Sequence, residues 1–212
     1  MSFFYMVRHG ETDWNREEVF RGRIDVPLND RGRQQAEAAG RRLAGAGVGA
    51  VCTSPLVRAR ETADIIARAC GREVCVEEAF VDMDFGDWQG LALTEVEKRF
   101  PEPYQTWSRT PAEARIPGAE SLVEVKQRAV AGITALAGRF PEDTLCVVTH
   151  RVVSKLVMAW ALGLDEAAFW RIRQDTACVN VFEYDGQQAV VHLLNDTCHL
   201  SALAEGRKQA DF

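Results

Sequence analysis

Residues 8 to 11 read Arg-His-Gly-Glu, directly after the apolar run Phe3-Phe4-Tyr5-Met6-Val7. An imidazole fixed where a buried strand leaves the core, with a guanidinium before it and a glycine after it, suits nucleophilic attack on a phosphate. His9 is the candidate nucleophile. Arg8 is the candidate anion holder, because a guanidinium fork matches phosphate oxygens, and Gly10 lets the backbone turn with no Cβ to clash. Arg16, Arg21 and Arg23 follow closely, Arg58 and Arg60 stand on a later loop, and His150 ends the apolar run Leu145-Cys146-Val147-Val148-Thr149. The chain as a whole is acidic, with a formal net charge of -6. An arginine cluster in an acidic chain marks a small-anion site and argues against nucleic-acid or membrane partners. With four histidines and no HxH or HxxxH string, histidine metal-ligand spacing is missing, and no metal or other cofactor is expected.

The scaffold for these groups is written in the hydrophobic periodicity. Strand-like runs at 2–8, 48–53, 73–77, 144–149, 179–184 and 188–194 alternate with helical patterns. Asn29 reads as the N-cap of a helix with Ala36, Ala39 and Leu43 on its apolar side. Ser54-Pro55 reads as the cap and first turn of the next, with Leu56, Ala59, Ala63 and Ile66 on one face. Ser121 and Glu124 form a capping box, and the apolar stretch Val152 to Leu162 predicts a buried helix ended by Gly163. This alternation predicts an α/β fold, a three-layer α/β/α sandwich on a mainly parallel sheet of about six strands. A final hairpin at Asp185-Gly186 would make that sheet mixed.

The chain length of 212 residues suits a single domain spanning 1–212. Residues 86–120 carry Pro101, Pro103, Pro111 and Pro117 among aromatics and predict a small helical cap inserted into it. The polar tail from Ala204 to Phe212 is expected to fray. The six cysteines lack CxxC spacing, and Cys52 and Cys146 read as small hydrophobes inside strands. No signal-peptide pattern precedes the first strand, and no apolar run approaches the roughly 20 residues that span a bilayer. The expectation is a cytoplasmic protein with reduced thiols. In open α/β sheets ligands bind beyond the carboxyl ends of parallel strands. His9, Ser54 with Arg58, and His150 each follow such a strand, so one rim should gather them, and Asp82 follows the third.

Taken together, these landmarks resemble the histidine phosphatase superfamily, in the branch related to cofactor-dependent phosphoglycerate mutase. The carrying residues are Val7-Arg8-His9-Gly10-Glu11-Thr12 with Asn15, Pro27-Leu28-Asn29 with Arg31-Gly32, and Ser54-Pro55-Leu56-Val57-Arg58-Ala59 with Glu61-Thr62-Ala63. Asp82, Phe85-Gly86-Asp87-Trp88-Gln89-Gly90, Glu120-Ser121-Leu122 and Val148-Thr149-His150 follow in family order. The resemblance implies that His9 becomes phosphohistidine and that Arg8, Arg58 and His150 form the phosphate pocket. It places Asn15 as a supporting donor and Asp82 as the proton donor. No metal is implied, since arginines neutralise the phosphoryl charge.

Three positions depart from the family pattern. Asp82 stands where most relatives carry Glu, and Arg151 follows His150 where many have glycine. Arg21 precedes Gly22 where Gln is frequent, so its guanidinium is a candidate partner for a second anionic group such as a carboxylate. His199 has no motif around it. The ending Cys198-His199-Leu200 nonetheless looks like the tail of metal-independent phosphoserine phosphatases, which lies near the active-site mouth. Arg21, Gly22, Arg151 and His199 therefore join Asn15 as candidate substrate contacts.

The function this implies is hydrolysis of small phosphomonoesters, with a carboxylated substrate such as phosphoserine favoured by the surplus arginines. The alternatives are phosphoglycerate mutase-type transfer, for which the cap is short, and a non-catalytic phosphoester-binding protein, for which too many catalytic groups are present. The partner is a small phosphomonoester, and a homodimer is the common default for such enzymes.

Overall fold

Strand β1 (Ser2–Arg8) ends one residue before His9 and sits between two neighbours of opposite sense. In the computed structural model, which describes residues 1–203, β1 runs parallel to β4 (Thr144–Thr149) and antiparallel to β5 (Val179–Tyr184). The expectation for the tail, 204–212, lies outside the described residues. β2 (Ala50–Thr53) pairs parallel with β4 and with β3 (Val74–Val76), and β6 (Ala189–Asp196) closes the other edge antiparallel to β5. The order is β3-β2-β4-β1-β5-β6, one mixed sheet.

Side-chain alternation sorts the helices onto the two faces of this sheet. Val7, Val51, Cys146 and Val148 point to one face. There they pack against Ala39 and Leu43 of α2 (Asp30–Leu43) and Ala59, Ala63 and Ile66 of α3 (Val57–Cys70). A four-residue helix, α1 (Asp13–Arg16), lies between β1 and α2 in the chain. Phe4, Met6, Leu145, Val147 and Phe182 point the other way, toward α6 (Leu122–Arg139) and α7 (Arg151–Ala161). Each fully buried side chain of this kind contributes about 1.5–3 kcal/mol relative to exposure. The result is the predicted three-layer sandwich.

The insertion contains α4 (Leu93–Arg99), α5 (Pro101–Arg109) and short 3₁₀ turns at Gly86–Trp88 and Pro111–Glu113. Trp88 and Trp107 are buried in it, edge-on to one another and to Phe20 and Phe85 respectively. These aromatics join the α6/α7 side of the core, which fixes the segment over that side. Among the described residues, no helix is long and apolar enough to cross a membrane.

Two local expectations are corrected. The helix after β2 begins at Val57, with Leu56 as N-cap, so Ser54 does not cap it. The Ser54 hydroxyl instead meets His150 Nε2 at 2.7 Å, a partner distant in sequence that no capping rule reveals. The thiols are not all reduced either. Cys52 and Cys75 stand opposite one another on parallel β2 and β3 and are joined as a disulfide, while Cys70, Cys146, Cys178 and Cys198 are free. Burial pushes the Cys178 thiol up to about 12 and that of Cys146 up as well, which leaves both uncharged.

Candidate active site

Parallel register brings the carboxyl ends of three strands to one rim. Arg8 is level with Thr149, the His9 amide donates to the Thr149 carbonyl at 2.9 Å, and the Ser54 amide donates to the Val148 carbonyl at 3.0 Å. The turn after β1 is pinned from two sides. The Gly10 amide donates to Thr62 Oγ1 at 3.1 Å, and the Thr62 hydroxyl donates to the Arg58 carbonyl at 2.8 Å, tying the turn to α3. On its other side Gly10 lies against the start of α2 so closely that an added Cβ would fall 2.4 Å from the Gly32 carbonyl oxygen. A side chain here would push the histidine loop off its support.

His9 is almost fully buried, and its Nδ1 lies 2.6 Å from the Gly10 carbonyl oxygen. A carbonyl only accepts, so Nδ1 carries the proton and Nε2 presents a lone pair. Burial, and after it the charges of Arg58 and its neighbours, hold the His9 ring well below the ordinary imidazole range. The candidate nucleophile is therefore neutral. The His150 ring lies 5.3 Å away, centroid to centroid, and burial and Arg58 hold it low too. Its Nδ1 is 3.6 Å from Asp82 Oδ2, a contact that is no ion pair while the ring is neutral.

Arg58 is the hub. Its Nη2 donates to Asp82 Oδ2 at 3.0 Å and to the Gly22 carbonyl at 2.7 Å, and its Nη1 donates to the Ile24 carbonyl at 3.0 Å. Burial works against its charge while Asp82 supports it. Among the described residues, Arg58 Nε and His150 Nδ1 are buried without a hydrogen-bond partner. Arg8, also buried, donates from Nη1 to the Gln174 carbonyl at 2.5 Å. Two fixed guanidiniums and two neutral imidazoles around one carboxyl group can hold a phosphoryl group and pass a proton to or from an oxygen on it.

Asp82 is placed by a residue with no motif. Arg128 of α6 donates to the carbonyls of Ala79, Val81 and Asp82 at 3.0, 2.7 and 3.1 Å, and pairs in fork fashion with Glu120 at 2.9 and 3.0 Å. Glu120 in turn accepts from the Asp84 amide at 2.9 Å. No short-range pattern marks an arginine in the polar stripe of an amphipathic helix, so sequence reasoning passed over it.

The remaining candidates divide. Asn15 Oδ1 accepts from the amide and the hydroxyl of Thr12, both at 3.0 Å, a bond set that belongs to the start of α1. Arg21, Gly22 and Arg151 line a cavity of about 20 Å³ together with Asp82, Phe85 and Val152. Gly22 has φ of +53°, which favours glycine, and a Cβ there would meet Gln89 Oε1 at 2.1 Å and displace that amide. His199 is not brought into the cluster: its Nε2 bonds the Ala177 carbonyl at 3.0 Å and its charged neighbours are Arg42 and Asp196. Arg16, Arg23 and Arg60 are exposed.

One group of possible metal ligands comes together among the described residues, Cys52, Cys75 and Glu77 at the β2–β3 edge. Its sulfurs are bonded to each other, and Glu77 is paired with Arg139 at 2.5 Å, so those ligand atoms are engaged.

The family model described as the histidine phosphatase superfamily (branch 1) matches residues 4–197. The chain is 32% identical over 195 residues to phosphoserine phosphatase 1 of Hydrogenobacter thermophilus, covering 92% of each. It is 31% identical to the probable phosphoglycerate mutase GpmB of Salmonella paratyphi B, covering 94% of this chain and 95% of that one. The solved structure of YhfR from Bacillus stearothermophilus superposes with a TM-score of 0.91 at 30% identity, over 95% of this chain and all of the other.

Proposed function

Because the chain belongs to branch 1 of the histidine phosphatase superfamily and is a phosphatase, we propose that it hydrolyses small phosphomonoesters through a phosphohistidine at His9, without a metal ion. The observation that carries this reading is the Nδ1–Gly10 hydrogen bond in a neutral, buried ring, which leaves Nε2 as a nucleophile beside Arg58.

In the first half-reaction His9 Nε2 forms a bond to phosphorus as the ester P–O bond breaks. The leaving alkoxide takes a proton from the acid form of Asp82. In the second, Asp82 takes a proton from water, the water oxygen bonds to phosphorus, and the P–N bond breaks to restore His9. Arg8, Arg58 and His150 hold the three phosphoryl oxygens, where preorganised donors stabilise the spreading negative charge. Asn15 supports them from α1. Guanidinium charge here takes the part that divalent metals play elsewhere.

The test is phosphate release from a panel of phosphomonoesters in excess EDTA, with trapping of acid-labile, alkali-stable label on the protein. Release in EDTA with label on His9 is expected. Hydrolysis only on addition of a metal, or label on another residue, would overturn the mechanism. Interconversion of phosphoglycerate isomers without phosphate release would favour the mutase reading, in keeping with the likeness to GpmB.

A further inference from the structure

Strand β5 carries one polar side chain in the buried run Val179-Asn180-Val181-Phe182, the amide of Asn180. A buried amide is costly unless its two N–H donors and the two lone pairs of its oxygen are met. In Asn180 all four are met. Nδ2 donates to Gln174 Oε1 at 2.8 Å and to the Met6 carbonyl at 3.2 Å. Oδ1 accepts from Gln174 Nε2 and from the Asn195 amide, both at 2.8 Å. Gln174, also buried, is thus gripped at both ends of its own amide, and its Oε1 accepts from the Cys178 thiol at 3.2 Å as well. Asn195 of β6 extends the grip to the next residue: its Oδ1 accepts from the Asp175 amide at 2.7 Å and its Nδ2 donates to Asp175 Oδ2 at 2.8 Å.

The loop 174–178 fixed in this way holds the end of β1. The Gln174 carbonyl accepts from Arg8 Nη1 at 2.5 Å, the Cys178 carbonyl accepts from the Arg8 amide at 3.2 Å, and the Ala177 amide donates to the His9 carbonyl at 3.1 Å. Ala177 takes φ of +53°, a left-handed conformation that a residue other than glycine keeps only where its surroundings dictate it. Packing alone would be served by an apolar pair, since replacing both partners of a hydrogen bond by apolar groups of like shape is close to neutral. A fully paired polar network instead specifies one arrangement, and what it specifies here is the direction of the Gln174 carbonyl.

Resting on the phosphatase reading above, we infer that Asn180 is a positioning residue for the reaction: by clamping Gln174 it aims the carbonyl that holds the Arg8 guanidinium for the phosphoryl group. It acts through Arg8 and not on the reacting atoms.

The experiment is a double-mutant cycle of Asn180→Leu with Arg8→Ala. It is read as kcat/KM on 4-nitrophenyl phosphate and glycerol 3-phosphate, and as the inhibition constant of inorganic phosphate. With Arg8 present, Asn180→Leu is expected to lower kcat/KM about 10- to 100-fold on both esters alike and to weaken inhibition by phosphate. An equal loss marks a displaced phosphate holder, since a displaced acid would spare the aryl ester. In the Arg8→Ala background the same substitution should cost less than about twofold, because two changes on one path are not additive. A full loss in both backgrounds, or wild-type kinetics in Asn180→Leu, would overturn the positioning role while leaving the phosphatase reading intact. If Asn180→Leu does not fold, Gln174→Met keeps the carbonyl, removes the amide clamp from its other side and carries the same outcomes. No turnover of either ester by wild-type protein would count against the phosphatase reading instead. Calorimetric binding of inorganic phosphate then decides the cycle: weakening by Asn180→Leu only when Arg8 is present supports the clamp, and equal weakening or none overturns it.

Discussion

The pocket around His9 and the cavity beside Arg21 share one wall, Asp82, yet they are built on opposite plans. In the first, the cations are anchored through their terminal nitrogens: Arg58 on the Gly22 and Ile24 carbonyls and Asp82, with only its Nε unpaired, and Arg8 on the Gln174 carbonyl. In the second, Arg21 carries buried donors with no partner. Anchored donors cost nothing to reorganise as charge develops, which is what a transition state needs. Unanchored donors gain most when a ligand supplies the missing acceptor, which is what discrimination needs. The Asp82 carboxyl group thus lies between a guanidinium fixed on protein oxygens and one that keeps unpaired donors.

Removing the nucleophile breaks the first region outright. His9→Ala should lower kcat by at least about 10⁴-fold and abolish protein-bound phosphate; substantial residual turnover with label elsewhere would displace His9 from the role. Asp82→Asn sharpens the boundary. It should slow an alkyl phosphate by about 10²- to 10⁴-fold and 4-nitrophenyl phosphate much less, since nitrophenolate leaves without a proton. Equal losses on both would mean that Asp82 only holds Arg58.

Arg128→Gln tests the anchoring from behind. Losing the fork on Glu120 and the grip on three carbonyls should reduce kcat on alkyl phosphates about tenfold with KM little changed and the aryl substrate spared, the pattern of a misplaced acid. A change in KM alone would argue for a different part.

The smallest effect expected is on stability against pH. His9 and His150 are held below their ordinary value of 6.5 when folded, so the unfolded chain takes up protons there first. Stability is therefore full above about 6.5 and falls below it, by about 1.4 kcal/mol per pH unit for each histidine. Thermal melting between neutral and mildly acidic pH should show this slope, and His9→Gln should reduce it by about half. Melting that ignores pH over this window would contradict neutral burial of the pair.

What the sequence made legible follows from the range of each signal. The six strands, the Asn29 N-cap and the Ser121–Glu124 capping box are local patterns, and the gathering of His9, Arg58 and His150 follows once β1, β2 and β4 are taken as parallel. Ser54 was misread because a local Ser-Pro signal competes with a partner far along the chain, and the tertiary partner won. The Cys52–Cys75 bond escaped because pairing across parallel strands leaves no fixed spacing. Arg128 carried no sign at all, since its value lies in which carbonyls happen to end beneath α6. The orphaned state of Arg21 could not be read either, although its departure from glutamine marked it as worth watching.

For the proposed phosphohistidine, the hydrogen bond from His9 to its own neighbour's carbonyl also bears on a question of isomerism. An imidazole has two nitrogens that could take the phosphoryl group, and each would give a distinct covalent product. With one of them committed as a donor to Gly10, the proposed intermediate is a single regioisomer, the Nε2-phosphorylated ring. On that mechanism the remaining N–H keeps its place, and the ring needs neither to flip nor to exchange that proton between one turnover and the next.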